Sequence, residues 1–225
     1  MSIENIVRPE YAKYFDHTNL HPDATTEDIK RFCKEARMYK FASVCVNSCH
    51  VQMAAGLLAG SGVHTCTVVG FPLGANTTAT KVFEAKEAVD NGADEIDMVI
   101  NIGAVKDKNY DYVRQDIQAV VDAVKDKAAV KVIIETHALT QEEKIKVLKI
   151  SEECGARFVK TCSGHFGTQG ATVEDVALMR QTVGEEVLVK ASTGIRTKED
   201  CDKLIAAGAV RFGSSSGPAV VRGER

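Results

Sequence analysis

The chain has 225 residues, of which 44% are hydrophobic and 26% are charged, a composition typical of one globular domain with a large core. Its net charge of -3 and pI near 6.1 argue against a general nucleic-acid surface, and no apolar run approaches the ~20 residues of a membrane span. Because segment 1–14 is polar and charged, unlike a signal peptide, we expect a cytoplasmic protein.

Short apolar strands alternate with helices along the chain. Strands are predicted over residues 14–18, 41–46, 63–69, 95–100, 130–135, 158–160, 187–190 and 210–212. Helices are predicted over residues 25–39, 49–59, 77–89, 110–125 and 140–154, from residue 172 onward, and over residues 197–206. A Gly-Ala pair precedes three of the strands, at residues 92–93, 155–156 and 208–209, which indicates one helix-to-strand turn used repeatedly.

Continuous apolar strands indicate a parallel sheet that is buried on both faces. Eight strand–helix units in a chain of this length favour an α/β fold of the closed (β/α)8 TIM type. An open doubly wound sheet is the alternative, and it is less favoured because no G-x-G-x-x-G follows the first strand. No linker divides the chain, so residues 1–225 are expected to form a single barrel domain.

Two strands end in the same pattern: an apolar run, a lysine, small polar residues and a glycine. The lysines are Lys160 and Lys190. A lysine at the end of a buried strand is costly unless it has a function, because burial disfavours the charged form. A single such lysine is equally well explained by an amine that extends to the rim, with its stem on apolar neighbours. The second copy favours a functional interpretation.

In a barrel, the carboxyl ends of the strands converge on one mouth, where active sites form. The polar and charged residues predicted there are Asp16, Thr18, Cys45, Asn47, Asp97, Glu135, Lys160 and Lys190. Asp97 alternates with apolar neighbours that should face the helices, so its carboxylate should point into the barrel and pair with the two lysines.

Two lysines and a carboxylate in a dry site are typical of Schiff-base chemistry. Burial and neighbouring ammonium groups lower the pKa of a lysine, which leaves a nucleophilic amine that can attack a carbonyl. The acid and the second lysine would then move the protons. A buried Lys–Asp–Lys network that only stabilises the barrel is the structural alternative.

The loops after the seventh and eighth strands suggest an anion site. They read Ser192-Thr193-Gly194-Ile195-Arg196 and Gly213-Ser214-Ser215-Ser216-Gly217, and the second is expected to open a short helix. Backbone amides at a helix start and small hydroxyl groups bind phosphate, and barrels often place a phosphate at this point.

The seven cysteines include no C-x-x-C pair. The spacings Cys45-x-x-x-Cys49-His50 and His64-x-Cys66 are the ones that could suggest a metal, but they lie across a strand end and a helix start with no acidic ligand beside them. We therefore predict no metal site and reduced thiols.

Taken together, several motifs resemble the deoxyribose-phosphate aldolase family over residues 14–217. They are Asp16-His17-Thr18, Glu95-Ile96-Asp97-Met98-Val99, Lys160-Thr161, Gly170-Ala171-Thr172-Val173-Glu174-Asp175 and Lys190-Ala191-Ser192. The resemblance implies a TIM-type barrel without metal or cofactor. It also implies reversible cleavage of 2-deoxyribose 5-phosphate to acetaldehyde and glyceraldehyde 3-phosphate, in deoxyribonucleoside catabolism. The partners implied are small phosphosugars and aldehydes, with no nucleic acid and no membrane, and a homodimer or higher homo-oligomer.

The resemblance also implies roles for individual residues. Lys160 would form the Schiff base, and Asp97 and Lys190 would transfer protons. Asp16, Thr18 and Cys45 would lie near the sugar. The phosphate site would be lined by Gly164, Thr193, Gly194, Gly213, Ser215 and Ser216.

The chain departs from the family pattern at Cys162, at an added His165 and at Thr193, where glycine is common. These changes fall in the expected phosphate loops and bear on phosphate affinity and substrate range. The chain also ends at Arg225 without the C-terminal tyrosine of some members. Two alternatives remain open at this stage: a Schiff-base aldolase for another phosphosugar, and a barrel that binds a sugar phosphate without catalysis.

Overall fold

The computed structural model describes residues 8–167 and 170–225, and its eight parallel strands close into a barrel in chain order. Strands β1 to β8 are Phe15–Asn19, Ser43–Val46, His64–Val69, Glu95–Val99, Ala129–Ile133, Phe158–Lys160, Leu188–Ser192 and Arg211–Ser214. The first strand pairs with both β2 and β8, which closes the ring. The predicted (β/α)8 barrel is confirmed, and the alternative of an open sheet is wrong.

The helices surround this ring. Helices α1 to α9 are Thr26–Tyr39, Val51–Leu58, Thr78–Asp90, Ile102–Lys106, Tyr110–Val124, Gln141–Glu153, Val173–Thr182, Lys198–Ala206 and Gly217–Val221. The short helix α4 was not predicted, because five residues are too few for an apolar periodicity to show. The predicted helix after β8 is confirmed as α9. Among the described residues, no helix has both the length and the apolar character needed to cross a membrane.

The three Gly-Ala junctions share one hydrogen-bonded turn. In each, the glycine N–H donates to the carbonyl three residues earlier, and the alanine N–H donates to the carbonyl five residues earlier. The φ angles of Gly92, Gly155 and Gly208 are 98°, 81° and 110°, in the left-handed region that favours glycine. The prediction of a repeated helix-to-strand turn is therefore confirmed.

Strand β4 shows how the barrel sorts its side chains. Ile96 and Met98 are fully buried in the core between strands and helices. Glu95 and Asp97, on the opposite face, contact charged partners inside the ring. Because successive side chains of a strand point to opposite faces, this one strand contributes to both the packed core and the interior charges.

Candidate active site

Lys160 ends β6 with its side chain turned into the barrel, 4% exposed. Its Nζ donates to Oδ2 of Asp97 at 2.7 Å, and Nζ of Lys190 donates to the same oxygen at 2.7 Å. The two lysines are register partners on β6 and β7, and Lys190 and Asp97 are fully buried. The structure thus brings together the three residues predicted as catalytic.

Asp16, on β1, is the second carboxylate that binds Lys190. Its Oδ2 accepts a hydrogen bond from Nζ of Lys190 at 2.5 Å, and its side chain is fully buried. Asp16 therefore contacts Lys190 instead of facing open solvent, and any contact that it makes with a sugar has to come from inside the barrel.

Three further charged residues of this group were missed by the sequence analysis. Lys131 on β5 donates to Oδ1 of Asp97 at 2.8 Å and lies 2.6 Å from Oε2 of Glu95. Arg211 on β8 contacts Oδ1 of Asp16 at 2.6 Å and Oε1 of Glu95 at 3.1 Å. A lysine within an apolar strand was the available signal for Lys131, since lysine is almost never fully buried unless it is paired.

We call these seven residues the charge cluster: Asp16, Glu95, Asp97, Lys131, Lys160, Lys190 and Arg211. Four cationic side chains face three carboxylates, so one ammonium can lose a proton and leave the group balanced. In the described part of the chain, Lys160 has one carboxylate within 4 Å, Lys190 has two and Lys131 has three. Lys160 is therefore the lysine of the cluster with the fewest carboxylate partners.

Opposite charges outweigh burial in this cluster. Burial raises the pKa of the Asp97 carboxyl, but the three lysine ammonium groups hold that pKa well below its usual range. Burial lowers the pKa of Lys190, and the carboxylates of Asp16 and Asp97 more than reverse this, so that the pKa is raised. The expectation that burial and lysine repulsion lower the pKa is wrong for Lys190, because carboxylates stand beside its ammonium group.

Cys45 faces the interior from β2, beside Cys66 on β3, and both thiols are fully buried. Their sulfurs and a carboxylate oxygen of Asp97 lie within 4.8 Å of one another. Cys66 Sγ donates to Oδ1 of Asp97 at 3.3 Å and accepts from Nζ of Lys131 at 3.2 Å. This group combines residues from both rejected spacings with an acid from another strand, a combination that only the closed barrel brings together.

A cavity of about 380 Å³ opens where the loops after β6, β7 and β8 meet β1. The predicted phosphate residues Gly164, Thr193, Gly194, Gly213, Ser215 and Ser216 all line it, together with Thr18. Leu20 and His21 also line the cavity and were not predicted, whereas Ser163, His165 and Arg196 belong to the loops that were expected to bind phosphate but were not assigned as contacts. They lie in loops, where no periodic pattern marks which side chains face a cavity.

Thr193 and Gly164 lie close together in the lining of this cavity. Thr193 has a φ of 70°, an unfavourable conformation for a β-branched residue, which explains why glycine suits the position. A β-carbon on Gly164 would lie 2.5 Å from Oγ1 of Thr193, so Gly164 cannot carry a side chain without displacing it. The departure at Thr193 thus places a hydroxyl group directly against the loop that follows Lys160.

The other two departures lie in different surroundings. Cys162 is buried, and its thiol donates to the carbonyl of Ser192 at 3.1 Å, so it joins the segment after β6 to the end of β7. His165 lines the cavity, with its ring edge-on to Phe71 at a centroid distance of 5.0 Å. Of these two departures, His165 therefore changes the cavity lining directly and Cys162 does not.

Glu135 was expected on the fifth strand, at the mouth. The strand ends at Ile133, and Glu135 has a left-handed φ of 55°. Its buried carboxylate accepts a hydrogen bond from the backbone N–H of Ser163, whose nitrogen lies 3.1 Å from Oε2. Glu135 thus holds the loop that follows Lys160. The prediction that β5 extends to Glu135 is wrong, whereas the prediction that Glu135 lies at this end of the barrel is confirmed.

A family model described as DeoC/LacD family aldolase matches residues 11–222. A deoxyribose-phosphate aldolase of Clostridium novyi (strain NT) is 59% identical over 213 residues, which are 95% of this chain and 96% of that protein. A deoxyribose-phosphate aldolase of Listeria welshimeri is 59% identical over 214 residues, which are 95% of this chain and 96% of that protein.

The same similarity appears among solved structures. A deoxyribose phosphate aldolase from Aeropyrum pernix, described as a unique tetrameric structure, superposes with a TM-score of 0.87 and is 30% identical. The match covers 97% of this chain and 93% of that one. The likeness thus extends over the whole barrel, including every strand that contributes to the charge cluster.

Proposed function

The chain belongs to the DeoC/LacD family of aldolases, and from this premise we propose that it reversibly cleaves 2-deoxy-D-ribose 5-phosphate to acetaldehyde and D-glyceraldehyde 3-phosphate. The observation that supports this most directly is the position of Lys160, whose amine is held by Asp97 at the strand end that leads into the cavity loops. The relatives from Clostridium novyi and Listeria welshimeri carry the name of this activity.

In the proposed mechanism, Lys160 loses a proton and its neutral amine attacks the aldehyde carbon of the open-chain sugar. The carbinolamine releases water to give an iminium ion, which withdraws electrons from the neighbouring carbon–carbon bond. Loss of the proton from the 3-hydroxyl group then breaks the C2–C3 bond. Glyceraldehyde 3-phosphate leaves, and an enamine of acetaldehyde stays on Lys160.

Asp97 and Lys190 are suited to the proton transfers. The lowered pKa of Asp97 keeps its carboxylate ionised and the raised pKa of Lys190 keeps its amine protonated, so the resting site holds one proton acceptor and one proton donor. The two share a contact of 2.7 Å, so the proton from the 3-hydroxyl group can pass through them to C2 of the enamine. Water then hydrolyses the resulting iminium ion, which releases acetaldehyde and restores Lys160.

The cavity accounts for the phosphate group. Backbone amides of the loops after β7 and β8 and the hydroxyl groups of Thr193, Ser215 and Ser216 supply donors without a carboxylate among the lining residues described. The loops follow the strands that carry the two lysines, so a five-carbon sugar could place its aldehyde at Lys160 and its phosphate in the cavity.

The test is a cleavage assay that detects both products separately. We expect equal amounts of acetaldehyde and glyceraldehyde 3-phosphate from 2-deoxyribose 5-phosphate. Faster cleavage of another phosphosugar would point to the alternative Schiff-base aldolase. Binding of deoxyribose 5-phosphate without any cleavage would favour a non-catalytic sugar-phosphate protein and overturn the proposal.

Several wider features belong to the same proposal. We propose that residues 1–225 form one domain, that the enzyme assembles as a homo-oligomer and that it acts in the cytoplasm in deoxyribonucleoside catabolism. The tetrameric Aeropyrum pernix enzyme and the match over the whole chain support the first two points.

A further inference from the structure

The paired thiols of Cys45 and Cys66 lie outside the steps proposed for the aldol reaction. They are register partners on the adjacent strands β2 and β3, and both are 0% exposed. Parallel neighbours whose side chains face the same side bring their sulfur atoms together without any change in the backbone. In the described part of the chain, the sulfurs and a carboxylate oxygen of Asp97 form the one group of three potential metal-ligand atoms.

The spacing of these atoms suits a thiophilic metal. A tetrahedral zinc ion with bonds of about 2.0–2.3 Å needs donor atoms roughly 3.3–3.8 Å apart. The Cys66 sulfur lies 3.3 Å from Oδ1 of Asp97, and all three atoms lie within 4.8 Å of one another. Small rotations of the two cysteine side chains would close the remaining gap.

A cation already occupies part of this position. The Lys131 ammonium group lies 3.2 Å from the Cys66 sulfur and 2.8 Å from Oδ1 of Asp97. The same ammonium group lies 2.6 Å from Glu95 and 3.6 Å from Asp16, so two carboxylates other than Asp97 are at hand to pair with it if it is displaced. A metal ion can therefore replace the ammonium group without leaving that charge unpaired.

We propose that Cys45, Cys66 and Asp97 form an inhibitory site for a thiophilic divalent cation such as Zn²⁺ or Cd²⁺. Binding releases the two thiol protons as the ion arrives, so the total charge of the interior does not change. The ion holds the Asp97 carboxylate, which then no longer serves Lys160 and Lys190.

The position of the thiols also provides a route for the ion. Cys45, Cys66 and Val68 form a small apolar cluster against Leu20 and Phe71, which are partly exposed. Leu20 also lines the cavity, so the apolar cluster that contains the thiols adjoins a space that solvent reaches, and the route for the ion runs past Leu20.

The test uses Cd²⁺ alone as the probe, in a Cys49→Ser parent that lacks the exposed thiol. Thiolate-to-cadmium absorption and calorimetry report binding whether or not the protein is catalytically active. We expect one Cd²⁺ per chain, inhibition of the aldolase reaction and full recovery in EDTA. Cys66→Ala and Cys45→Ala, each in this parent, should weaken both Cd²⁺ binding and relative inhibition by at least about tenfold.

Cys201→Ala is the matched control, because Cys201 is a buried thiol on α8, outside the charge cluster. It should bind Cd²⁺ like the parent. Unchanged absorption and inhibition in both Cys66→Ala and Cys45→Ala would overturn the proposal, as would a parent that binds no Cd²⁺. Neither result bears on the aldol reaction itself, which is measured without the metal.

Discussion

Burial of a lysine does not by itself identify a reactive amine, as a comparison of Lys81 with Lys160 shows. Lys81, on α3, is also fully buried, and its Nζ donates to the carbonyl of Val99 at 2.9 Å and to Oδ2 of Asp116 at 2.5 Å. Those two partners pair the ammonium group of Lys81 in the layer between α3 and the barrel. Lys160 instead shares one carboxylate with two other ammonium groups, next to a cavity.

Replacing Lys190 with leucine should slow the reaction and also change the nucleophile. Without Lys190, three cationic groups face three carboxylates, so loss of a proton from Lys160 leaves an unbalanced negative charge. Turnover should fall by a factor of about 10²–10⁴, the usual value of acid–base catalysis. The pH midpoint for borohydride trapping of an acetaldehyde adduct at Lys160 should rise.

These two effects can be separated. A trapping midpoint that does not move while turnover collapses would restrict Lys190 to proton transfer. No change in either quantity would contradict the pairing of Lys160 with Lys190.

Individual contacts inside the barrel were only partly predictable from the sequence. The alternation along β4 placed Asp97 inside, and the repeated strand ending identified Lys160 and Lys190 as the candidate catalytic lysines. Lys131 was missed because its position in the ring depends on the register between β4 and β5, which pairs it with Asp97. The raised pKa of Lys190 was missed for the same reason, since it is caused by carboxylates on two other strands, β1 and β4.

At the scale of elements, the loops after β7 and β8 are separate in function from the strands that they follow. The strands hold the charged groups, and the loops line the cavity. Their positions were predictable, since the strand ends mark them. Which of their side chains line the cavity followed from the family resemblance and not from any periodicity, because a left-handed residue such as Thr193 follows no repeating pattern.

Ser215→Asp should separate binding from chemistry. Ser215 is an exposed residue of the cavity lining, so an added carboxylate there would repel a bound phosphate. The KM for deoxyribose 5-phosphate should rise by at least about tenfold. Turnover of unphosphorylated deoxyribose serves as the internal control and should change little. Equal losses on both substrates would show that the phosphate binds elsewhere.

The contact between α3 and α5 provides a structural comparison. Asp116 on α5 accepts hydrogen bonds from Lys81 and from Thr78 Oγ1, the latter at 2.8 Å. Asp116→Ala leaves the Lys81 charge buried without its carboxylate, which should lower the free energy of unfolding by about 3–5 kcal/mol. Denaturant unfolding measures this change.

Adduct formation at Lys160 per folded molecule should be unaffected in that variant. A loss of adduct formation in the folded fraction would mean that the α3–α5 pair supports the active site as well as the fold.

At the scale of the whole molecule, His17 connects the ring of strands to helix α1. Its Nε2 lies 2.7 Å from Oε2 of Glu35, and its ring stacks on Phe32 with a centroid distance of 4.2 Å. Burial lowers the pKa of His17 more than its bond to Glu35 raises it. The unfolded chain therefore takes up this proton at a higher pH than the folded chain, and stability is lost as the pH falls below about 6.5.

The wild-type protein should accordingly lose more unfolding free energy between about pH 7.5 and about pH 5.5 than His17→Gln does. Urea unfolding at the two pH values measures the difference. His64→Gln is the control, since His64 is 55% exposed and should behave like the wild type. The same pH dependence in all three proteins would contradict the role assigned to His17.

The closed barrel builds the candidate site from residues that lie far apart along the chain. The charge cluster draws its residues from six of the eight strands, β1, β4, β5, β6, β7 and β8. The fold class followed from the strand–helix alternation, because eight apolar strands have few other ways to bury both faces. The cluster itself required the strand register, which a sequence pattern does not specify.

The central claim is that Lys160 forms a Schiff base, and trapping with borohydride tests it most directly. The protein is incubated with acetaldehyde, reduced, digested and analysed by mass spectrometry, with Lys160→Met as the control for background labelling of surface lysines. We predict a stable ethyl adduct on Lys160 in the wild type, with the background unchanged in the variant. Absence of an adduct on Lys160, or its appearance on Lys190 instead, would contradict the account.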